Sequence, residues 1–165
     1  MRVLGIDTGS RITGYGVIET DGAECVYVDC GIIRVNPSDA LALRLRIIHE
    51  KVTSVIRDFK PDQAAFENIF YSTNVQSALK LGHARGVCIH AAAASDVPVF
   101  EYSPAEVKSA VTGYGRAEKP QVLQMVRALL KLADWSEPYD ASDALAVAIC
   151  HVHTHRFKKA VVGAR

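Results

Sequence analysis

Apolar positions early in the chain come in short runs broken by turn residues. Residues 2–7 read as a buried strand ending in Asp7. Tyr15-Gly16-Val17-Ile18 and Val26-Tyr27-Val28 read as two further strands, with Asp21-Gly22 turning between them as in a hairpin. A third run, Gly31-Ile32-Ile33-Arg34-Val35, continues that antiparallel ribbon. Asn36-Pro37-Ser38-Asp39 then offers cap residues ahead of a helix. Leu41, Leu45, Ile48, Val52, Val55 and Phe59 recur at steps of three and four, so residues 39–59 are expected to form one amphipathic helix. Ala64-Ala65-Phe66-Glu67 reads as a short buried strand with an acid at its far end. Residues 75–94 read as an alanine-rich helix, and Val97–Tyr102 as the last strand. Helices follow at about 104–111, 120–132 and 141–153. Three strands leading into alternating helices and strands predict an α/β fold: a mixed sheet with helices on both faces. Ligand sites in such sheets gather at the carboxyl ends of strands, where Asp7 and Glu67 fall.

The 165 residues suit one domain, and 49% hydrophobic with 22% charged residues is ordinary globular composition. No apolar run approaches a membrane span, and the N-terminal residues lack a signal peptide's apolar region, so a cytoplasmic location is expected. Cys25, Cys30, Cys88 and Cys150 form no CxxC pair and predict reduced thiols. Net charge is only +1, but Lys108, Arg116, Lys119, Arg127 and Lys131 crowd one stretch, and Arg156, Lys158, Lys159 and Arg165 leave the C-terminus without an acid. Such zones suit an acidic centre set in a phosphate-binding surface, or plain solvated helix faces.

Each acid has an ordinary reading. Asp7, in Gly5-Ile6-Asp7-Thr8-Gly9-Ser10, suits a turn, or the phosphate loop of actin-like ATPases. That ATPase class needs two such domains, which 165 residues do not supply. Glu67 suits the rim of a sheet. Asp140 and Asp143 share one face of a helix's first turn, where they suit an N-cap and a capping-box acid. Taken together they point elsewhere. Two strand-end acids and a helix-borne pair can converge on one pocket, and four close carboxylates are stable only around cations. Oxygen ligands favour Mg²⁺ or Mn²⁺, and two such ions can clamp the attacking and leaving oxygens of a phosphodiester.

The longer motifs are more specific. Gly5-Ile6-Asp7-Thr8-Gly9-Ser10-Arg11-Ile12-Thr13-Gly14-Tyr15-Gly16-Val17-Ile18, Glu67 with Phe70, Ser77-Ala78-Leu79-Lys80-Leu81-Gly82-His83-Ala84-Arg85-Gly86-Val87, Ala117-Glu118-Lys119 and Asp140-Ala141-Ser142-Asp143-Ala144-Leu145-Ala146 carry a resemblance that reaches about residue 154. The chain resembles the RuvC family of bacterial Holliday-junction resolvases. The resemblance implies an RNase H-like nuclease domain over residues 1–155, with a basic C-terminal tail over 156–165. It implies a homodimer, Mg²⁺-dependent nicking of opposite strands of four-way junction DNA, and the RuvA–RuvB branch-migration complex as partner. It assigns the catalytic, metal-holding acids to Asp7, Glu67, Asp140 and Asp143, DNA-contacting lysines to Lys108 and Lys119, and a junction-centre aromatic to Phe70. Thr8 stands where the family usually carries proline. A junction-binding module without catalysis would have no need of all four acids.

Two features remain. His151, His153 and His155 alternate, and His151 with His155 has metal-ligand spacing, though histidines also suit a helix end. Ala78, Gly82, Gly86 and Ala93 give the 75–94 helix a small-residue face for close packing, within the subunit or against a second one.

Overall fold

The structure is a computed structural model that describes residues 1–22, 24–68 and 75–163, with side chains to residue 155. Five strands form one mixed sheet: β1 (Arg2–Asp7), β2 (Ile12–Thr20), β3 (Cys25–Arg34), β4 (Gln63–Glu67) and β5 (Val99–Tyr102), in the order β3-β2-β1-β4-β5. The first three pair antiparallel, whereas β4 and β5 run parallel to β1. Helices α1 (Leu41–Phe59) and α2 (Val75–Ala93) cover one face; α3 (Pro104–Thr112), α4 (Lys119–Leu129) and α5 (Tyr139–Gly163) cover the other. The two runs expected on either side of residue 30 are one strand, β3: Asp29 and Cys30 pair with Val17 and Gly16, and a bulge falls at Val28, opposite the step from Val17 to Ile18 on β2.

Side-chain alternation divides the sheet into two cores. Leu4, Ile6, Val17, Ala64 and Phe66 point to α1 and α2, where Ile48, Val52, Ile56, Ala84 and Cys88 meet them. Val3, Ile18 and Ala65 point the other way, to Ala141, Leu145, Ala148 and Ile149 of α5. Helix α1 ends at Lys60, whose left-handed backbone (φ 47°) returns its N–H to the Ile56 carbonyl. Its start differs from expectation. The N-cap is Ala40 with no side-chain bond, because Asn36 Oδ1 accepts from Ser38 N at 3.0 Å and closes a turn instead. Helix α3 does carry a full capping box, Ser103 with Glu106, followed by proline. Helix α5 begins two residues earlier and runs ten residues further than its expected 141–153.

Three glycines govern where α5 lies. Gly5 and Gly16 are cross-strand partners, and Gly14 pairs with Asp7. Positions 5, 14 and 16 all face α5. A methyl on Gly5 would overlap the Ala144 carbonyl and stand 2.7 Å from Ala148 N; on Gly16 it would stand 2.8 Å from Leu145 N; on Gly14 it would overlap the Asp140 carbonyl. The helix backbone therefore rests directly on the strand backbones, which no residue with a Cβ permits. Gly5→Ala is expected to cost about 1–3 kcal/mol of stability through overpacking, lowering the melting temperature by roughly 3–10 °C. An unchanged thermal melt would contradict this seating of α5.

Candidate active site

The acids come together through strand register and the glycine seat. On β1 and β4, Gly5 pairs with Ala65 and Ile6 with Phe66, so the next step of the ladder sets Asp7 beside Glu67, ~4.8 Å apart along the sheet. Residues 3, 5, 7 and 65, 67 share the α5 face by alternation. The backbone of Asp140 lies against Gly14, the cross-strand partner of Asp7. Asp143 follows almost one turn later, on the same side of α5. The loop after Asp7 is pinned from two sides. Thr13 Oγ1 donates to the Gly9 carbonyl at 3.1 Å, and the buried Arg44 donates to the Ser10 carbonyl at 3.3 Å.

Asp7, Glu67 and Asp143 line one pocket of about 160 Å³, together with Val107, Lys108, Lys119, Val122 and Ala146. Asp140 stands outside the lining, yet its charge still acts on Asp7. Burial, then the charges of Asp143 and Glu67, push the Asp7 carboxyl up to about 7. Burial and Asp143 also raise Glu67, with Lys119 and Lys108 opposing them. Lys119, the first residue of α4, bonds Asp143 at 2.7 Å, and that bond raises the ammonium's pKa. Among the described residues no three ligating side chains converge closely enough to enclose one ion as they stand. Asp143 is held by Lys119 through one carboxylate oxygen, Oδ2. The donor set itself, carboxylate oxygens without thiolate or imidazole, is that of a hard divalent cation.

The expected basic surface is narrower than the sequence suggests. Arg127 is turned back onto the Leu132 and Ala133 carbonyls, and Lys131 pairs with Glu24 at 3.1 Å. Lys108 and Lys119 remain at the pocket, with Arg116 exposed between them in sequence. Phe70 lies outside the described residues. The histidines are held by packing. Buried His151 bonds Tyr102 Oη at 2.7 Å and Gln63 Oε1 at 2.6 Å, His153 meets the Ala110 carbonyl at 3.0 Å, and the His155 ring lies against Phe100 and His151. Among the described residues, no helix is long and apolar enough to cross a membrane.

Sequence reasoning passed over Gly5, Gly14 and Gly16 as the seat of α5, although glycines inside strands signal close backbone approach. It also passed over Arg44 and Arg85, basic residues on helix faces whose partners lie far away in sequence.

Acids at the carboxyl ends of two central strands, a third on the helix crossing them, and lysines on the same wall define a nuclease of the RNase H-like class. The family described as "Crossover junction endodeoxyribonuclease RuvC" matches residues 3–151. The crossover junction endodeoxyribonuclease RuvC of Syntrophotalea carbinolica is 55% identical over 153 residues, covering 93% of this chain and 94% of that protein. The structure of Thermus thermophilus RuvC in complex with a Holliday junction substrate superposes with a TM-score of 0.91 at 34% identity, covering 96% of each chain. Another Thermus thermophilus RuvC structure gives 0.87 at 35%, covering 96% and 97%. The chain belongs to the RuvC family of crossover junction endodeoxyribonucleases.

The raised Asp7 carboxyl has a definite pH consequence. Unfolded, the group ionises near ~3.9; folded, it does so at about 7. The folded state therefore holds the extra proton, and the stability this confers is complete at low pH and lost as pH rises toward 7. A divalent cation held at this carboxyl would bind its ionised form, so its stabilisation should grow over the same range. At 100 times its Kd a cation adds about 2.7 kcal/mol, or roughly 5–10 °C in melting temperature. The shift produced by a fixed Mn²⁺ concentration should be clearly larger at pH 8 than at pH 6, and Asp7→Asn should flatten the difference. Equal shifts at both pH values in the unmodified protein would contradict this electrostatic picture.

Proposed function

We propose that this chain resolves four-way DNA junctions as a C2 homodimer, by paired Mg²⁺-dependent nicks in opposite strands. The observation that carries the reading is the pocket in which Asp7, Glu67 and Asp143 face Lys108 and Lys119, in a chain of this family. Asp7, Glu67, Asp140 and Asp143 would hold two ions. Bound there, divalent cations lower the pKa of an attacking water and neutralise charge on the leaving 3′ oxygen. The chain's own residues do the rest. Lys108 and Lys119 offset the repulsion between the acids and an approaching phosphate. Lys119, bonded to Asp143 at 2.7 Å and lining the same pocket, would also meet the phosphate backbone. Phe70 supplies an aromatic face for a base at the branch point. The basic segment 156–165 adds phosphate contacts beyond the nuclease domain, and RuvA–RuvB is the partner machinery in the cytoplasm.

A synthetic four-way junction and a linear duplex of the same sequence, each incubated with and without Mg²⁺, test the activity. Cleavage is expected only of the junction and only with the cation. Asp7→Asn, Glu67→Gln, Asp140→Asn and Asp143→Asn should each reduce it by more than the ~100-fold that losing a supporting residue costs. Junction binding should persist in all four. A variant that cuts normally removes its residue from the centre.

Two equivalent incisions related by a two-fold axis call for two sites with the same symmetry. Helix α2 supports that assembly. Its Ala84, Cys88, Ala91 and Ala92 are buried inward, while Val75 (71% exposed) and Leu79 (58%) stand in solvent, and a methyl on Gly82 or Gly86 would meet nothing within 4 Å. Sedimentation at micromolar concentration should show a dimer. Gly82→Arg should shift it toward monomer and weaken paired cutting, with circular dichroism unchanged. A monomer both alone and on the junction would overturn the dimer.

A further inference from the structure

Arg85 lies on α2 among residues that pack inward, yet its side chain crosses to the end of β4. It is 14% exposed. Its Nε donates to the Glu67 carbonyl at 3.3 Å, and its Nη2 donates to Asn68 Oδ1 at 2.9 Å and pairs with Glu101 Oε1 of β5 at 3.2 Å. Asn68 N in turn donates to the Tyr102 carbonyl at 2.7 Å, so the ladder between β4 and β5 is carried one residue past Glu67. One guanidinium thus fastens the last residue of β4, the residue after it and the neighbouring strand to a single helix. A planar fork can reach three divergent acceptors in this way; an ammonium on a flexible stem does not fix their relative orientation.

The chemistry of the grip matters. The described contacts of Arg85 to Glu67 run to the main-chain carbonyl, and no ion pair joins it to the Glu67 carboxylate. Arg85 thus leaves the Glu67 carboxylate oxygens to other partners, while the backbone from which that carboxylate projects is held. Glu67 is the last residue of a short edge-ward strand, five residues long. The tether acts where the β4–β5 ladder ends, at the Asn68 N–Tyr102 carbonyl bond.

We infer that Arg85 is a positioning residue for the acidic centre: it orients Glu67 toward Asp7 by fixing the Glu67–Asn68 backbone to α2. The inference rests on the reading of Glu67 as a cation ligand. It also makes α2 the element that joins the acidic centre to the exposed Gly82–Gly86 face, since Arg85 lies between those two glycines in sequence.

The test compares Arg85→Ala, Arg85→Lys and Glu67→Gln in the full-length protein. Three quantities are read: the melting temperature without cation, the Mn²⁺ concentration giving half the maximal thermal shift, and single-turnover junction cleavage well below the melting temperature. Supporting residues around metal ligands cost ~10–100-fold when lost. Arg85→Ala should raise the half-maximal Mn²⁺ concentration by that order and slow cleavage to match, with high Mn²⁺ recovering most of the rate and junction binding unchanged. Arg85→Lys should restore the melting temperature but not the Mn²⁺ dependence, because it keeps the charge beside Glu101 and loses the fork. A folded Arg85→Ala with the parental Mn²⁺ dependence and cleavage rate would overturn the proposal. So would recovery of the Mn²⁺ dependence by Arg85→Lys, which would leave only a charge effect. Normal Mn²⁺ dependence in Glu67→Gln would instead sink the reading of Glu67 itself, and that outcome is separable because it leaves an Arg85→Ala defect unexplained.

Discussion

The backbone of α5 rests on bare strand backbone, and the rest of the centre depends on that contact. Gly5, Gly14 and Gly16 remove the side chains that would otherwise hold the helix an ångström or more away from β1 and β2. Removing them loses side-chain packing but brings Asp140 and Asp143 down to the level of Asp7. The same contact explains why α5 is so thoroughly buried. Alanines at 144 and 148 sit where the helix meets the strand backbones, while Leu145, Ile149 and His151 fill the space beside that contact. Position and chemistry are therefore coupled. The three bare positions place a helix, and the helix places two acids.

That placement sets electrostatics against burial. Three carboxyl groups and one nearby share a small space, and Asp7 responds by holding its proton to about 7. Lys119 relieves part of the repulsion through its bond to Asp143. A site so arranged has three ways to reach balance: a proton, an ammonium or a cation. On the proposed reading these would compete, and the centre would respond to pH and to divalent ions together. Lys108, in the same pocket lining, opposes the rise of the Glu67 carboxyl without binding an acid among the described contacts.

Much of this was legible in the residues. The strand periodicity of β1 and the three-four spacing of α1 were clear because one face of each is buried and the other is wet. Asp7 and Glu67 stood out as acids closing apolar runs, and Asp140 and Asp143 as a helix-borne pair. Other parts were hidden for physical reasons. The two halves of β3 looked separate because Asp29 and Cys30 stand between the apolar runs, although both pair in regular register with β2. Asn36 looked like a cap ahead of a helix, but a local turn used its side chain first. Arg127 and Lys131 stood in a basic stretch that suited either a phosphate-binding surface or solvated helix faces, yet one closes the end of α4 and the other pairs with Glu24, 107 residues away. Arg85 could not be told from any surface arginine, because its partners at 67, 68 and 101 become neighbours only when β4 and β5 pair.

The central claim is that one acidic centre, assembled by the seating of α5 on β1 and β2, holds the cations. Anomalous scattering from a crystal soaked in Mn²⁺ at pH 8 tests it most directly. The account predicts density between Asp7, Glu67 and Asp143, with Lys119 drawn away from Asp143. Density only elsewhere on the protein, with Lys119 still bonded to Asp143, would contradict it.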